Sequence, residues 1–257
     1  MNVAEYAAAN GLQRMGARPS FLSYVAETWR RKDFAFALAK FSNDAANARN
    51  RLGKWWVVLL PTIQAATYGL IFGLILGDSR PANFILFLFT GVFLFAFITG
   101  SFASGASAIT SNAGLVKSLS FPRALLPLST VISQFVNLIP QLAILLVSLI
   151  LIQKQITWSW LALIPIIVLM TFFSTGLAML AARITVHVRD LSMVIPFITR
   201  IMFYVSGIFF SMEHILANYP YVWAVAKWNP VYDFIELARG ALVVGHTMSV
   251  ELWVACA

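Results

Sequence analysis

The chain has 257 residues, 60% of them hydrophobic and 11% charged, with a formal net charge of +8 and a mean hydropathy of +0.81. That composition excludes an ordinary soluble domain, and the single cysteine, Cys256, excludes an internal disulfide or a CxxC metal site. Nucleic acid is not the expected partner of the excess charge. Nine of the eighteen Lys and Arg precede Trp55, beside the first apolar run, where cations meet anionic headgroups and fix orientation.

Residues 1–19 carry Gly11, Gly16 and Pro19 and predict little order. No cleavable signal peptide is visible, because the first apolar run begins late and is long. A helix is expected from Ser20, with Phe21, Tyr24, Val25 and Thr28 on one side and Trp29 at its end. A second helix carries Phe34, Leu38, Phe41, Ala45, Ala48 and Leu52 in a stripe spaced by three and four. Lys40, Asp44, Asn47 and Arg51 lie off that stripe, a pattern suited to the membrane interface. Residues 1–54 are therefore read as a cytoplasmic segment with an amphipathic interface helix, and 55–257 as a transmembrane domain.

Spans are predicted over 55–77, 83–109, 125–152, 158–182 and 191–211, each long enough to cross at ~1.5 Å per residue. Trp55 and Trp56 suit an interfacial aromatic belt. Gly69, Gly73 and Gly77 are spaced by four and predict close approach of another helix. Ala96, Gly100, Ser104 and Ala108 predict the same in the phenylalanine-rich second span, whose Phe93 and Phe97 are candidate pathway residues. The third span opens with Gln134, Asn137, Pro140 and Gln141, whose amides need helix partners or water. Asp190 is placed to N-cap the fifth span. Within that span Arg200 is the one full charge well inside an apolar run, a functional candidate unless it snorkels to the headgroups.

Between the second and third spans lies the polar break 112–127, N-A-G-L-V-K-S-L-S-F-P-R-A-L-L-P, with Lys117 and Arg123 and no acid. The positive-inside bias puts it in the cytoplasm. Leu115, Val116 and Leu119 give a one-turn helix an apolar edge suited to a groove on a soluble partner; a plain connecting loop is the alternative. Residues 212–244 are too short and polar for spans, are punctuated by Pro220 and Pro230, and are crowded with Tyr219, Tyr221, Trp223, Trp228 and Tyr232. Two short helices dipping into the outer leaflet are expected there. The run 247–257 reads as the start of a sixth span whose body is not in the sequence.

The cytoplasmic segments hold nine, two and two cations against four outside, so the amino terminus is expected inside the plasma membrane. No span carries Asp or Glu near its middle, which argues against an ion-coupled carrier. There is no G-x-x-x-x-G-K-[ST], HExxH, GxSxG or Cys/His cluster, so neither ATP hydrolysis, protease chemistry nor a metal site is expected in the chain. Energy for transport has to come from a partner.

Several motifs in order carry a resemblance: Leu52-Gly53 with Trp56 and Pro61; Phe121-Pro122-Arg123 with Pro127; Arg189-Asp190; 206–211; and Asn229-Pro230 with Arg239. The chain resembles the permease subunits of ABC-2 type exporters of lipid-linked polysaccharides, the O-antigen, capsule, teichoic acid and mycobacterial galactan group. Gly207 departs from the family pattern, where many relatives have proline. The resemblance implies an all-α membrane fold with a re-entrant outer hairpin, assembled from two copies of the chain and two ABC ATPase subunits. ATP and Mg would be bound by the ATPases and no cofactor by this chain. The cargo implied is a polyprenyl-diphosphate-linked glycan moved outward. In that scheme Leu115, Val116, Lys117, Ser118, Leu119, Phe121 and Arg123 couple to the ATPase. Trp29, Arg30, Arg31, Lys32, Arg49 and Arg51 form the substrate entrance, and Phe93, Phe97 and Arg200 belong to the pathway. Tyr219, Tyr221, Trp223, Trp228 and Tyr232 form the outer gate. A drug or small-lipid exporter of the same fold, or an ATPase-independent channel or carrier, are the alternatives.

Overall fold

Every regular element among the described residues of the computed structural model is helical; those residues are 20–48, 51–75, 77, 81, 83–212, 219–246 and 248–256. Helix α1 (Phe21–Arg30) begins where Ser20 Oγ accepts from the Ser23 N–H at 3.3 Å. Helix α2 (Lys32–Ala48) follows directly. The face it turns to the bundle is an alanine line: Ala35 and Ala39 are buried, whereas Phe36 and Phe41 of the same helix are exposed. Small side chains there let α2 lie close against the next long helices, so that Asn43 Nδ2 donates to Ser133 O at 3.3 Å and Asn43 Oδ1 accepts from Ser133 Oγ.

A 3₁₀ turn (Gly53–Trp55) leads into α3 (Trp56–Ile75). Lys54 Nζ meets Asp44 at 2.8 Å, and that hydrogen bond, with the cation's charge, holds the Asp44 carboxyl below its usual range. The attraction is complete above the ordinary aspartate range and is lost as pH falls through the lowered value. Both side chains are well exposed, so the pair adds little to stability.

Helix α4 (Phe84–Ser111) is the centre of the bundle. Of its most apolar stretch 67% is buried, against 6% for Gly53–Ile75. Around it pack α6 (Leu125–Gln153), α7 (Leu163–His187, entered through the 3₁₀ turn Trp158–Ala162), α8 (Leu191–Val205) and α10 (Pro230–Leu242). Close approach depends on glycines of α4. A Cβ at Gly105 would lie 2.5 Å from Ala178 Cβ, and one at Gly100 would lie 2.9 Å from Gln134 Oε1. Among the described residues four segments are long and apolar enough to cross a membrane: Gly53–Ile75, Phe84–Ser111, Leu125–Gln153 and Trp158–His187.

Three expectations are corrected. The fifth span was expected over 191–211, but α8 stops at Val205, about 22 Å long at ~1.5 Å per residue and short of a ~30 Å core. Its backbone turns at Gly207, φ +59, where any Cβ would meet Met212 at 2.8 Å and the Tyr232 ring at 3.2 Å. Asp190 does not cap α8; its own φ −66 and ψ −17 are already helical, whereas an N-cap needs extended backbone. The glycine series of α3 is not in close helix contact: a Cβ at Gly73 would meet the Phe84 ring at an ordinary 3.9 Å, and one at Gly69 would meet nothing within 4 Å. Gly69 borders an open cleft, because α3 is peripheral and held by aromatic rings. Phe72 stacks on Phe209 at 4.2 Å, and Tyr68 meets the same ring edge-on at 4.9 Å.

In the outer region α9 (Pro220–Ala226) and α10 are the two short helices, and α11 (Val250–Cys256) follows. Residues 213–218 of the first expected helix lie outside the described residues. Helix α10 does not rest on the outer surface: it enters the bundle between α4 and α7 and is buried along most of its length.

Candidate functional site

The break 112–127 is organised by α5 (Ala113–Ser118) at the end of α4. Lys117 sits in its last turn, where a cation suits the helix dipole. Asn112 does not cap α5; its Nδ2 donates back to Ala108 O at 2.8 Å and finishes α4 instead. Leu115 and Val116 are half-buried, while Lys117, Ser118, Leu119 and Arg123 are exposed. This leaves an apolar edge of Leu119 (52% exposed) with the outer sides of Leu115 and Val116, beside two cations.

The break is fastened to the elbow between α1 and α2 at three points. The Ala124 N–H donates to Tyr24 Oη at 3.0 Å, Arg31 Nη1 donates to Ser120 O at 2.8 Å, and the Phe34 and Phe121 rings meet at 5.1 Å. Sequence reasoning placed Arg31 among the entrance cations and Phe121 on the partner-facing edge. Both are engaged in this fastening, and Arg31 also pairs with Glu27 at 3.0 Å. No local pattern announces a bond between residues 89 positions apart.

Of the other entrance residues, four are described. Trp29 is exposed with Lys32 Nζ 5.0 Å from its ring centroid. Arg30 and Arg51 are exposed and make no ion pair or side-chain hydrogen bond among the described residues; Arg49 lies outside those residues. Of the pathway candidates, Phe93 is buried in the core of the chain, and Phe97 is buried beside a small cleft. Arg200 is exposed on the outward side of α8, in line with exposed Met193, Phe197, Ile201 and Tyr204.

The outer aromatic set divides. Tyr219, Tyr221 and Trp228 are exposed, Trp223 is half-buried, and Tyr232 is buried, meeting Trp223 edge-on at 6.0 Å. Tyr232 was expected at the rim; it faces inward because Gly207 leaves room for its ring. Beneath it lies a knot that the sequence did not disclose. Arg239 is fully buried. It donates to Phe87 O, Gly207 O and Ile208 O at 2.9–3.2 Å, pairs with Glu236 at 2.7 Å, and lies 3.3 Å from the Phe87 ring centroid. Asn229 Nδ2 ties Val205 O and Ser206 Oγ to the start of α10, while its Oδ1 accepts from the Val231 N–H at 3.1 Å. The sequence signal was an arginine three residues after a glutamate in a largely apolar helix that also carries Asp233, and in lipid such charges call for internal partners.

Comparison with known proteins adds four findings. A profile of the family described as ABC-2 type transporter matches residues 40–243. The O-antigen export system permease protein RfbA of Klebsiella pneumoniae is 26% identical over 71% of this chain and 70% of its own length. The protein of the same name from Myxococcus xanthus is 27% identical over 74% and 73%. The polysialic acid transport protein KpsM of Escherichia coli is 25% identical over 76% of each.

Proposed function

The chain belongs to the ABC-2 type transporter family, and from that premise we propose that it is the permease half of an ATP-driven exporter that carries a lipid-linked polysaccharide out of the cytoplasm. The similarity to permeases named for O-antigen export and polysialic acid transport supports a glycan cargo. The ATPase is a separate chain. The observation that carries the coupling is the fastened break: α5 offers an exposed apolar edge between Lys117 and Arg123, while Tyr24, Arg31 and Phe34 anchor its far end. A push on α5 is thereby delivered both to α4 and to the interface helices.

A second copy completes the assembly. An arginine facing hydrocarbon costs ~2.5–3.5 kcal/mol on insertion scales. That cost falls if the outward side of α8, with Arg200, and the peripheral α3 face the partner copy around a wet path. The amino terminus lies in the cytoplasm, which the cations before Trp55 support.

Replacing Leu115 and Leu119 together by Asp tests the coupling. The expected result is a permease that is folded and inserted but no longer co-purifies with its ATPase, since the groove would desolvate two charges. Co-purification at the wild-type level would overturn the assignment.

The free entrance cations make a separate case. Arg30→Ala with Arg51→Ala is expected to lower ATPase stimulation by the lipid diphosphate several-fold, with basal hydrolysis kept and the deficit larger at high salt, where the remaining cations are screened. Equal loss of basal and stimulated rates would assign these arginines to headgroup anchoring instead.

A further inference from the structure

Between α3, α4 and α6 lies a cleft of about 220 Å³, bordered by Trp56, Pro61, Phe97, Gln134, Asn137 and Gln141. It stands at the start of the first span, where the fastened interface helices hand over to the transmembrane bundle. Such a cleft has room for a small polar ring. No charged side chain among the described residues borders it.

Three amides of α6, at i, i+3 and i+7, share the face toward this cleft. Their hydrogen-bonding capacity is only partly used. Gln134 Nε2 donates to Ser104 Oγ at 3.2 Å, an approach that Gly100 allows. Gln141 is 6% exposed; its Nε2 donates to Val57 O at 3.1 Å, but its Oε1 is buried without any donor. The Asn137 side chain makes no hydrogen bond among the described residues. A buried acceptor without a donor is rare in folded chains, and the terminal torsion of Gln is soft enough to turn it toward an incoming hydroxyl.

The chemistry selects the occupant. A phosphate or carboxylate would find no cation here, and an aliphatic tail would leave the amides unmatched. Uncharged amides beside an indole face suit a neutral polyhydroxyl group, whose hydroxyls bond the amides while its C–H face lies on the ring. We propose that this cleft is a subsite for one neutral sugar ring of the cargo, held by Asn137 and Gln141 against Trp56 as the glycan enters. The proposal rests on the glycan-export reading and names a part of the molecule that reading left empty of roles. A lipid glycerol headgroup has the same chemistry and is the rival source.

The test uses the purified chain in phosphatidylcholine nanodiscs, with methyl β-galactopyranoside as the probe and saturation-transfer difference NMR as the readout. Transfer to the ring protons is expected in the wild type and is expected to fall about fivefold in Asn137→Leu, which breaks no internal hydrogen bond. Gln141→Leu should do the same, and phosphatidylglycerol in the disc should change neither. Absence of transfer in the wild type, or equal transfer in Asn137→Leu, would overturn the subsite. Loss of transfer on adding phosphatidylglycerol would give the cleft to the lipid headgroup and reject the sugar. Glycan export from cells is followed in parallel: a wild-type chain that exports nothing rejects the export reading, whereas export unchanged in Asn137→Leu rejects the subsite alone.

Discussion

Arg239→Ala is expected to destabilise the protein by about 3–5 kcal/mol, because Glu236 is left as an uncompensated charge in the bundle. The Gly207 and Ile208 carbonyls lose their donors at the same time. In a chain of this size that corresponds to an apparent melting temperature lower by roughly 10 °C or more. Arg239→Lys should recover little of it. A lysine keeps the charge but replaces a planar fork with a single ammonium, which cannot serve carbonyls on α4 and on the segment after α8 together. Gly91 supplies an internal check. A Cβ there would lie 2.7 Å from Arg239 Nη2, so Gly91→Ala should displace the guanidinium and cost stability in the wild type. In an Arg239→Met background the same change should cost much less, a non-additivity that reports their contact. Thermal unfolding in detergent, followed by size-exclusion chromatography, measures all four. A wild-type melting temperature for Arg239→Ala would remove the knot from any structural role.

Gly105→Ala is expected to be the most damaging single methyl in the bundle. The new Cβ would lie 2.5 Å from Ala178 Cβ and 2.8 Å from Ala178 Cα, and a backbone neighbour cannot swing aside as a long side chain can. Overpacking of this kind costs ~1–3 kcal/mol or more, and here it separates α4 from α7, the central helix from one of its main partners. Adding Ala178→Gly should restore only part of the loss, because the residue-178 Cα would remain 2.8 Å from the new Cβ. Gly69→Ala on α3 is the matched control, since its Cβ would meet nothing within 4 Å and its stability should be unchanged. Equal effects at the two glycines would show that helix propensity, not close contact, decides the outcome.

Those two glycines also mark how far the sequence can be read. Long apolar runs announce spans because a hydrocarbon solvent admits little else, and turn signals such as Asn229-Pro230 are local and physical. What a run does not reveal is which side of a helix faces its neighbours. Helix α4 is apolar all round, so Phe93, buried in the core, and the phenylalanines around it carry no mark of their direction. The GxxxG spacing of α3 reads as packing, yet the glycines that pack are Gly100 and Gly105 of α4. On α2 the apolar stripe Phe34, Leu38, Phe41, Ala45 and Ala48 is the visible pattern, while the side chains buried against the bundle are Ala35 and Ala39. The burial of Arg239 was not legible in the same way. Apart from Glu236, its partners are 31, 32 and 152 residues away, so a tally of cations by loop could not show that it is enclosed. The candidate site shows the same division. The apolar edge of α5 could be read from three residues, but its attachment through Tyr24, Arg31 and Phe34 is tertiary.

The buried arginine also sets an order in time. The bend after α8 exposes the carbonyls of Gly207 and Ile208, and the donor that meets them lies 32 and 31 residues further along the chain. At synthesis rates of ~5–20 residues per second, the bend waits about 2–6 s for its partner. During that interval two acceptors stand in or near the lipid with water or the insertion machinery as their only company. A nascent chain halted before residue 239 would hold its long helices and still lack the clasp that closes the outer half of the bundle. Such a product would be a natural target for membrane proteases, recognised by its unfinished bend.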